Sequence, residues 1–234
     1  MFERIVLLAD STEQGFLVPI LATENPALDI RVVSTLDELR AIDTGEFHHA
    51  RLIAFVTTVI VPIDVLHATG YGAYNFHPGP PDYPGWAPAH FALYDRAKLF
   101  GVTLHAMTGL VDAGPILDID PFPIPPGTTV VSLESAAYSR LVTMFYRWAG
   151  ALTHDVPLQA RLPAQWGARK NSRRSYRAMC NIPTDISKDD LAHRISIFGQ
   201  GHFGILPSVR LHGVEFTASP PDEGPDIVGL VSTA

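Results

Sequence analysis

Cysteine is almost missing from this chain. Only Cys180 stands in 234 residues, so no internal disulfide can form and no thiolate cluster is available to a metal. A cytoplasmic setting is the default that follows. Charge is sparse too: 18% of residues are Asp, Glu, Lys or Arg, and the balance is −7. Proteins that hold tRNA or DNA usually neutralise phosphates with a basic face. The global field here would repel a polyanion, so small-molecule partners are expected, and no nucleic acid. No apolar run reaches the length of a membrane span, and the N-terminus lacks a basic-then-apolar signal layout. No membrane partner is expected. Several motifs are missing as well. The chain has no GxGxxG after its first apolar run, where "ADSTEQG" stands instead, no GxxxxGK[ST] and no GxSxG. No histidine pair has HExxH spacing, so no metal is expected.

What is present is a large apolar fraction, 47%, enough for one large domain or a domain with a small appendage. Short β-rich runs alternate with helical patterns. "RIVLLA", "DIRVVS", the start of "RLIAFVTTVIVP" and "GAYNFH" read as strands. Helices are expected over about Gly15 to Glu24, over Leu36 to Ile42, after Pro62 until Gly70, and over Ala87 to Lys98. This pattern predicts an α/β fold: a Rossmann-like, mostly parallel sheet with helices on both faces. "GVTLHAM" and "PILDIDPFPI" read as a strand pair joined by "TGLVDAG". The longest helix is expected over Ser132 to Thr153, with Ser132 as its N-cap. The core is drawn at 1–155 and a short C-terminal extension at 156–234. In that extension Ser187 and Asp190 suggest a capping box. "SVRLHGVEFTA" suggests a β-hairpin turning at His212-Gly213, and the last dozen residues read as a tail.

The stretch "YNFHPGPPDYPGWAP" is too dense in proline and glycine for regular structure. It places Asn75 and His77 where a strand runs out into a loop, the usual address for a site in such a sheet. Asp112 lies in the "GLVDAG" turn. Together these three suit acyl transfer to an amine. An Asn N–H can donate to a developing oxyanion, an imidazole can take and return the amine proton, and a carboxylate can orient the ring. Spacing alone leaves another reading open, in which His77 is incidental to a stiff connector and Asp112 is a turn former. His67 and His90 fall on helical segments, where packing or surface roles are commoner.

The ordered set "NFHPGPP…YPGWAP" then "GVTLHAMTGLVDAGPILD" resembles the catalytic domain of the 10-formyltetrahydrofolate-dependent formyltransferases. The likeness runs over about Arg51 to Thr153. It implies that Asn75, His77 and Asp112 are the catalytic residues. It also implies that the folate donor, 10-formyltetrahydrofolate, lies against Thr58, Val59 and Ile60 and against Leu110 and Val111, largely through backbone contacts.

Where family members often carry Ser-Leu-Leu-Pro after the histidine, this chain has Gly79-Pro80-Pro81-Asp82, and Pro84 replaces an arginine. These departures fall on the acceptor side, where Gly79 and Trp86 are expected to line the wall. The family's glycine-rich phosphate loop for glycinamide ribonucleotide is missing, and the stretch after Thr153 is short for a tRNA-binding barrel. Chain size resembles the sugar N-formyltransferases. The expected acceptor is therefore a nucleotide-linked amino sugar, and a homodimer is possible. The basic run Arg169, Lys170, Arg173, Arg174 and Arg177 could hold a diphosphate or be a solvated surface loop. Trp166 and Tyr176 could stack on a base or pack in the core. Two rival activities stand beside this reading. One is formyltetrahydrofolate hydrolysis, disfavoured because the chain starts at its first strand whereas known hydrolases resembling this core carry an extra N-terminal domain. The other is a folate-binding module without turnover.

Overall fold

Strand and helix periods assemble as the alternation predicts, in a computed structural model that describes residues 1–156, 158–159 and 163–218. Strands β1 (Arg4–Leu8), β2 (Asp29–Val33), β3 (Ala50–Phe55) and β4 (Ala73–His77) run parallel. Strands β5 (Leu99–Ala106) and β6 (Ile116–Pro123) complete the sheet antiparallel, in the order β2-β1-β3-β4-β5-β6. The result is the Rossmann-like, mostly parallel sheet expected, with a separate antiparallel pair, β7 (Ser208–Leu211) and β8 (Val214–Thr217). Positive φ at His212 (49°) and Gly213 (85°) turns that hairpin at the expected dipeptide.

Alternation along each strand divides the core in two. Ile5, Leu7, Ile53, Phe55 and Phe76 face helices α1 (Ser11–Glu24), α5 (Pro88–Tyr94) and α6 (Val130–Leu152). Val6, Leu8, Leu52 and Ala54 face α2 (Leu36–Arg40), α3 (Thr44–Phe47) and α4 (Ile63–Ala68). Helices α7 (Arg173–Cys180) and α8 (Lys188–Phe198) pack beyond α5 through Tyr176 and Phe198, both fully buried.

A buried arginine ties this scaffold together. Arg51, at 2% exposure, sits in β3 with no carboxylate in hydrogen-bonding contact. Its guanidinium donates to the carbonyls of Tyr71 (3.1 Å), Ala151 (2.9 Å), Leu152 (2.6 Å), His154 (3.1 Å) and Val156 (3.2 Å). Carbonyls at a helix C-terminus lack intrahelical donors and carry partial negative charge. Arg51 supplies both needs for α6 and ties that helix to the middle of the sheet.

Several boundaries differ from expectation for local reasons. α6 begins at Val130 because Thr129 is its N-cap, and Ser132 serves as the reciprocal third-position partner. Ser187 accepts from the Asp190 amide, but the Asp190 carboxylate turns outward to Tyr94 and Arg194, so half of the expected capping box forms. α5 stops at Tyr94, well short of Lys98, and α1 starts at Ser11. The basic run enters a helix, α7, whose N-cap Ser172 accepts from Ser175. The expected tail, 221–234, lies outside the described residues.

His90 packs, as its helical position suggested. It is fully buried, ringed by Tyr176 and His202 at 5.1 Å and Phe198 at 5.7 Å, with Glu134 Oε1 3.8 Å from Nδ1. Burial, with His202 adding to it, pushes its pKa down to about 3. A histidine whose folded-state pKa is depressed contributes stability above its unfolded value, near 6.5, and loses it as pH falls toward the folded value. Urea unfolding at pH 7 and pH 4 should therefore show the native protein losing about 2–3 kcal/mol more than His90→Leu. Equal losses in the two proteins would refute this assignment.

Candidate active site

Asn75 and His77 lie at the carboxyl end of β4, and β5 runs antiparallel beside them. The register sets Asn75 opposite His105 and His77 opposite Thr103. Pro78, Pro80, Pro81 and Pro84 then carry the chain away as an irregular loop. Thr103 Oγ1 holds this loop by donating to the Gly79 carbonyl at 2.7 Å.

Asp112 arrives from the β5–β6 connection, and its carboxylate is where three segments meet. Oδ2 accepts the Gly85 N–H at 2.7 Å and lies 3.4 Å from His77 Nδ1. Oδ1 lies 3.2 Å from His105 Nε2. The same His105 nitrogen is 3.1 Å from the Asn75 amide, and His105 Nδ1 is 2.9 Å from the Ala106 carbonyl. His77 and Asp112 side chains are both 5% exposed. The three residues expected from the sequence are thus brought together, with His105 as a fourth.

Burial works to raise the Asp112 pKa, but His77, His105 and the Gly85 N–H more than reverse it, holding it at about 2. The carboxylate is ionised at neutral pH. For His77, burial is the largest influence and pushes its pKa down; Asp112 opposes this and His105 adds to it. The resting ring is neutral. Asp112 has φ 44°, a left-handed conformation that asparagine and aspartate visit more readily than other non-glycine residues. It still costs about 1–2 kcal/mol, which the carboxylate's bonds offset.

The residues that the family likeness implies for the donor lie on two loops. Thr58 and Ile60 are exposed and Val59 is half-buried in the loop after β3. Leu110 is 70% exposed and Val111 41% exposed in the turn before Asp112. These loops approach each other, since a Cβ at Gly109 would stand 3.0 Å from Ile63 Cδ1. Gly79 is buried against His77 and Trp86 is half-buried beside Gly85. The basic run divides. Arg169 pairs with Asp95 (3.5 Å) and lies over Phe91 (5.4 Å), while Lys170 donates to the Val111 carbonyl. Arg173 and Arg174 are exposed on the first turn of α7. A cavity of about 480 Å³ between α7 and the β7–β8 hairpin contains none of the catalytic candidates.

Two neighbours were not assigned from the sequence. His105 was visible only as a strand position; its signal was a histidine in an otherwise apolar run paired with the Asn75 strand. Trp166, read from the sequence as stacking on a base or packing in the core, is half-buried and lies outside both core clusters. Its Nε1–H donates to the Gly114 carbonyl at 2.7 Å, and its ring stands edge-on to His105 (4.9 Å) and His77 (6.0 Å). Tyr176, in contrast, is core.

With this geometry in place, comparison with known proteins is informative. Residues 38–144, which hold all four site residues, match the family model described as formyl transferase. A methionyl-tRNA formyltransferase of Listeria welshimeri is 32% identical over 108 residues, which cover 46% of this chain and 32% of that enzyme. The match therefore spans about a third of the length of that curated relative. A sugar N-formyltransferase from a Shewanella species superposes with a TM-score of 0.74 at 16% identity, covering 94% of this chain and 97% of that one. An N-formyltransferase from Helicobacter canadensis, in complex with folinic acid and dTDP-3-aminofucose, gives 0.61 at 14% identity, covering 91% and 85%. The resemblance read from the motifs is borne out by the family model and the fold.

Gly79 accounts physically for one departure from the family pattern. A Cβ there would stand 2.6 Å from Pro88 Cβ and 2.7 Å from His77 Nε2. A proline ring cannot swing away, so the serine common in relatives does not fit this loop. Gly79→Ser should lower stability by about 1–3 kcal/mol. Urea denaturation measures this, and a change below about 0.5 kcal/mol would contradict the close approach.

Proposed function

Taking the formyl transferase match over residues 38–144 as its premise, we propose that this chain moves a formyl group from 10-formyltetrahydrofolate to a primary amine. The acceptor class we favour is a nucleotide-linked amino sugar. The observation that carries the reading is the meeting of His77 and Asp112 beside Asn75 at the carboxyl edge of the sheet.

Each side chain has a role that its contacts support. An ionised Asp112 repels a ring lone pair, so His77 presents Nδ1–H to it and keeps its lone pair on Nε2. The nearest acceptor to Nε2, the Tyr83 carbonyl, is a long 3.4 Å away. His77 Nε2 takes the proton as the amine nitrogen attacks the formyl carbon, and returns it to the donor nitrogen as the old C–N bond breaks. Asp112 stabilises the imidazolium in between. Asn75 donates to the oxyanion. Its Nδ2 stands 3.1 Å from His105 Nε2, and the second hydrogen of that NH₂ is left for the oxyanion.

A flat pterin needs an apolar slot edged by backbone groups. Ile60, Ile63, Leu110 and Val111 stand exposed around the two donor loops, which supports Thr58, Val59, Ile60, Leu110 and Val111 as the donor contacts. On the acceptor side, Arg173 and Arg174 at the N-terminus of α7 suit a diphosphate, with Gly79 and Trp86 as the wall. Arg169 and Lys170 are already engaged with Asp95 and Val111, so their part is to hold the wall in place. The curated relatives favour a second reading, in which the amine belongs to methionyl-tRNA.

Tetrahydrofolate release, followed with amino sugar nucleotides, glycinamide ribonucleotide and charged initiator tRNA in turn, tests these readings. Release with the sugar nucleotides is expected. Release only with tRNA would select the second reading, and release with no amine would mean hydrolysis. His77→Asn and Asp112→Ala should each lower turnover at least about a hundredfold. Near-normal turnover in either would remove that residue from the mechanism.

A further inference from the structure

Resting on the formyl-transfer reading, we propose that Trp166 is a positioning residue for the reaction centre. Its indole N–H fixes the turn that presents Asp112, and its ring shields the two imidazoles from water.

The segment 163–172 returns across the site after α6 and is tied to both loops whose groups meet at Asp112. Three backbone bonds fasten it to the proline-rich loop: Gly167 N–H to the Pro81 carbonyl (2.9 Å), Asn171 N–H to Pro84 (2.8 Å) and Trp86 N–H to Asn171 (3.0 Å). Two side-chain bonds fasten it to the Asp112 turn: Trp166 Nε1–H to the Gly114 carbonyl at 2.7 Å, and Lys170 to the Val111 carbonyl. Gly85 closes the circuit. It bridges to Asn171 and donates to Asp112, and at φ 92° a Cβ there would collide with the Asn171 carbonyl. The turn these bonds hold includes a left-handed Asp112, a conformation that needs support from its surroundings.

The indole also does what packing alone would not require. A phenyl ring could fill the space, but it has no N–H for Gly114. Its plane is nearly perpendicular to His105 (88°) and steeply inclined to His77 (70°), an edge-on arrangement that covers the rings without competing for their nitrogens. The groups facing His77 are Asp112 from the β5–β6 turn, His105 from β5, the Tyr83 carbonyl from the loop, and Trp166 from the returning segment.

Two substitutions separate the two parts of the role. Trp166→Phe keeps the ring and removes the N–H; Trp166→Ala removes both. Histidine ring resonances, with His77 identified by its loss in His77→Asn, report the shielding without turnover. Opening the site to water should move the His77 midpoint upward by at least about half a pH unit in Trp166→Ala, because burial is what depresses it. It should leave the midpoint in place in Trp166→Phe. Amide exchange at Gly85, whose N–H is held by Asp112, should be faster in Trp166→Phe. With a working acceptor, kcat should fall about tenfold in Trp166→Phe and further in Trp166→Ala, whose pH profile alone should show the acid limb displaced upward. An unmoved His77 midpoint in Trp166→Ala together with unchanged Gly85 exchange in Trp166→Phe would overturn the proposal. If the native protein releases no tetrahydrofolate with any acceptor, the formyl-transfer reading fails on its own, while the resonance and exchange measurements still decide what Trp166 does.

Discussion

The Asp112 carboxylate is the constraint around which the site is organised. A buried carboxylate must have its lone pairs satisfied or give up its charge. Here Oδ2 accepts the Gly85 amide and faces His77, while Oδ1 faces His105. Those partners come from the proline-rich loop, the end of β4 and the end of β5. Satisfying one carboxylate therefore fixes the relative positions of β4, the loop that follows it and β5. It also keeps the Asp112 pKa low against the burial that works to raise it. The polar centre is small but closely coupled, so loss of one member leaves the others with unmatched partners.

The scaffold makes this possible by placing rigid elements on either side. β4 and β5 pair in a register that sets Asn75 against His105, so two polar side chains meet on one edge of an apolar sheet. Further back, Arg51 holds the C-terminus of α6 and the residues just after it to β3 through four carbonyls. The chain that leaves α6 then starts its return toward the site from a fixed point. Polar groups inside this protein serve geometry, and the two apolar cores on either side of the sheet supply most of the driving force.

The loop proposed for the acceptor differs in kind from the polar centre at Asp112. Its path depends on proline rings and on close approaches such as that of Gly79 to His77 and Pro88. Sequence departures there change the shape of the loop, while Asn75, His77 and Asp112 keep their identities. This separation is common where one chemistry serves several substrates: the reactive groups sit on strand ends, and the loops carry specificity.

By itself the sequence determined the α/β alternation, the parallel strands, the antiparallel β5–β6 pair, the hairpin at His212-Gly213 and Asn75, His77 and Asp112 as candidate residues. Each of these is written in local terms, as apolar periodicity, turn residues or a compact motif. Caps were less legible. Thr129 and Ser132 are both good cap formers, and the choice between them depends on where α6 first meets the sheet. The basic run gave no helical apolar stripe, so α7 was hidden until Tyr176 and Cys180 were seen packed against the core. Only the tertiary structure decided that His105 shares Asp112 with His77, that Trp166 stands against both rings, and that Arg169 and Lys170 are engaged with Asp95 and Val111. Those contacts join residues distant in sequence through strand register and a returning segment, and no local pattern encodes the distance between side chains that only folding brings together.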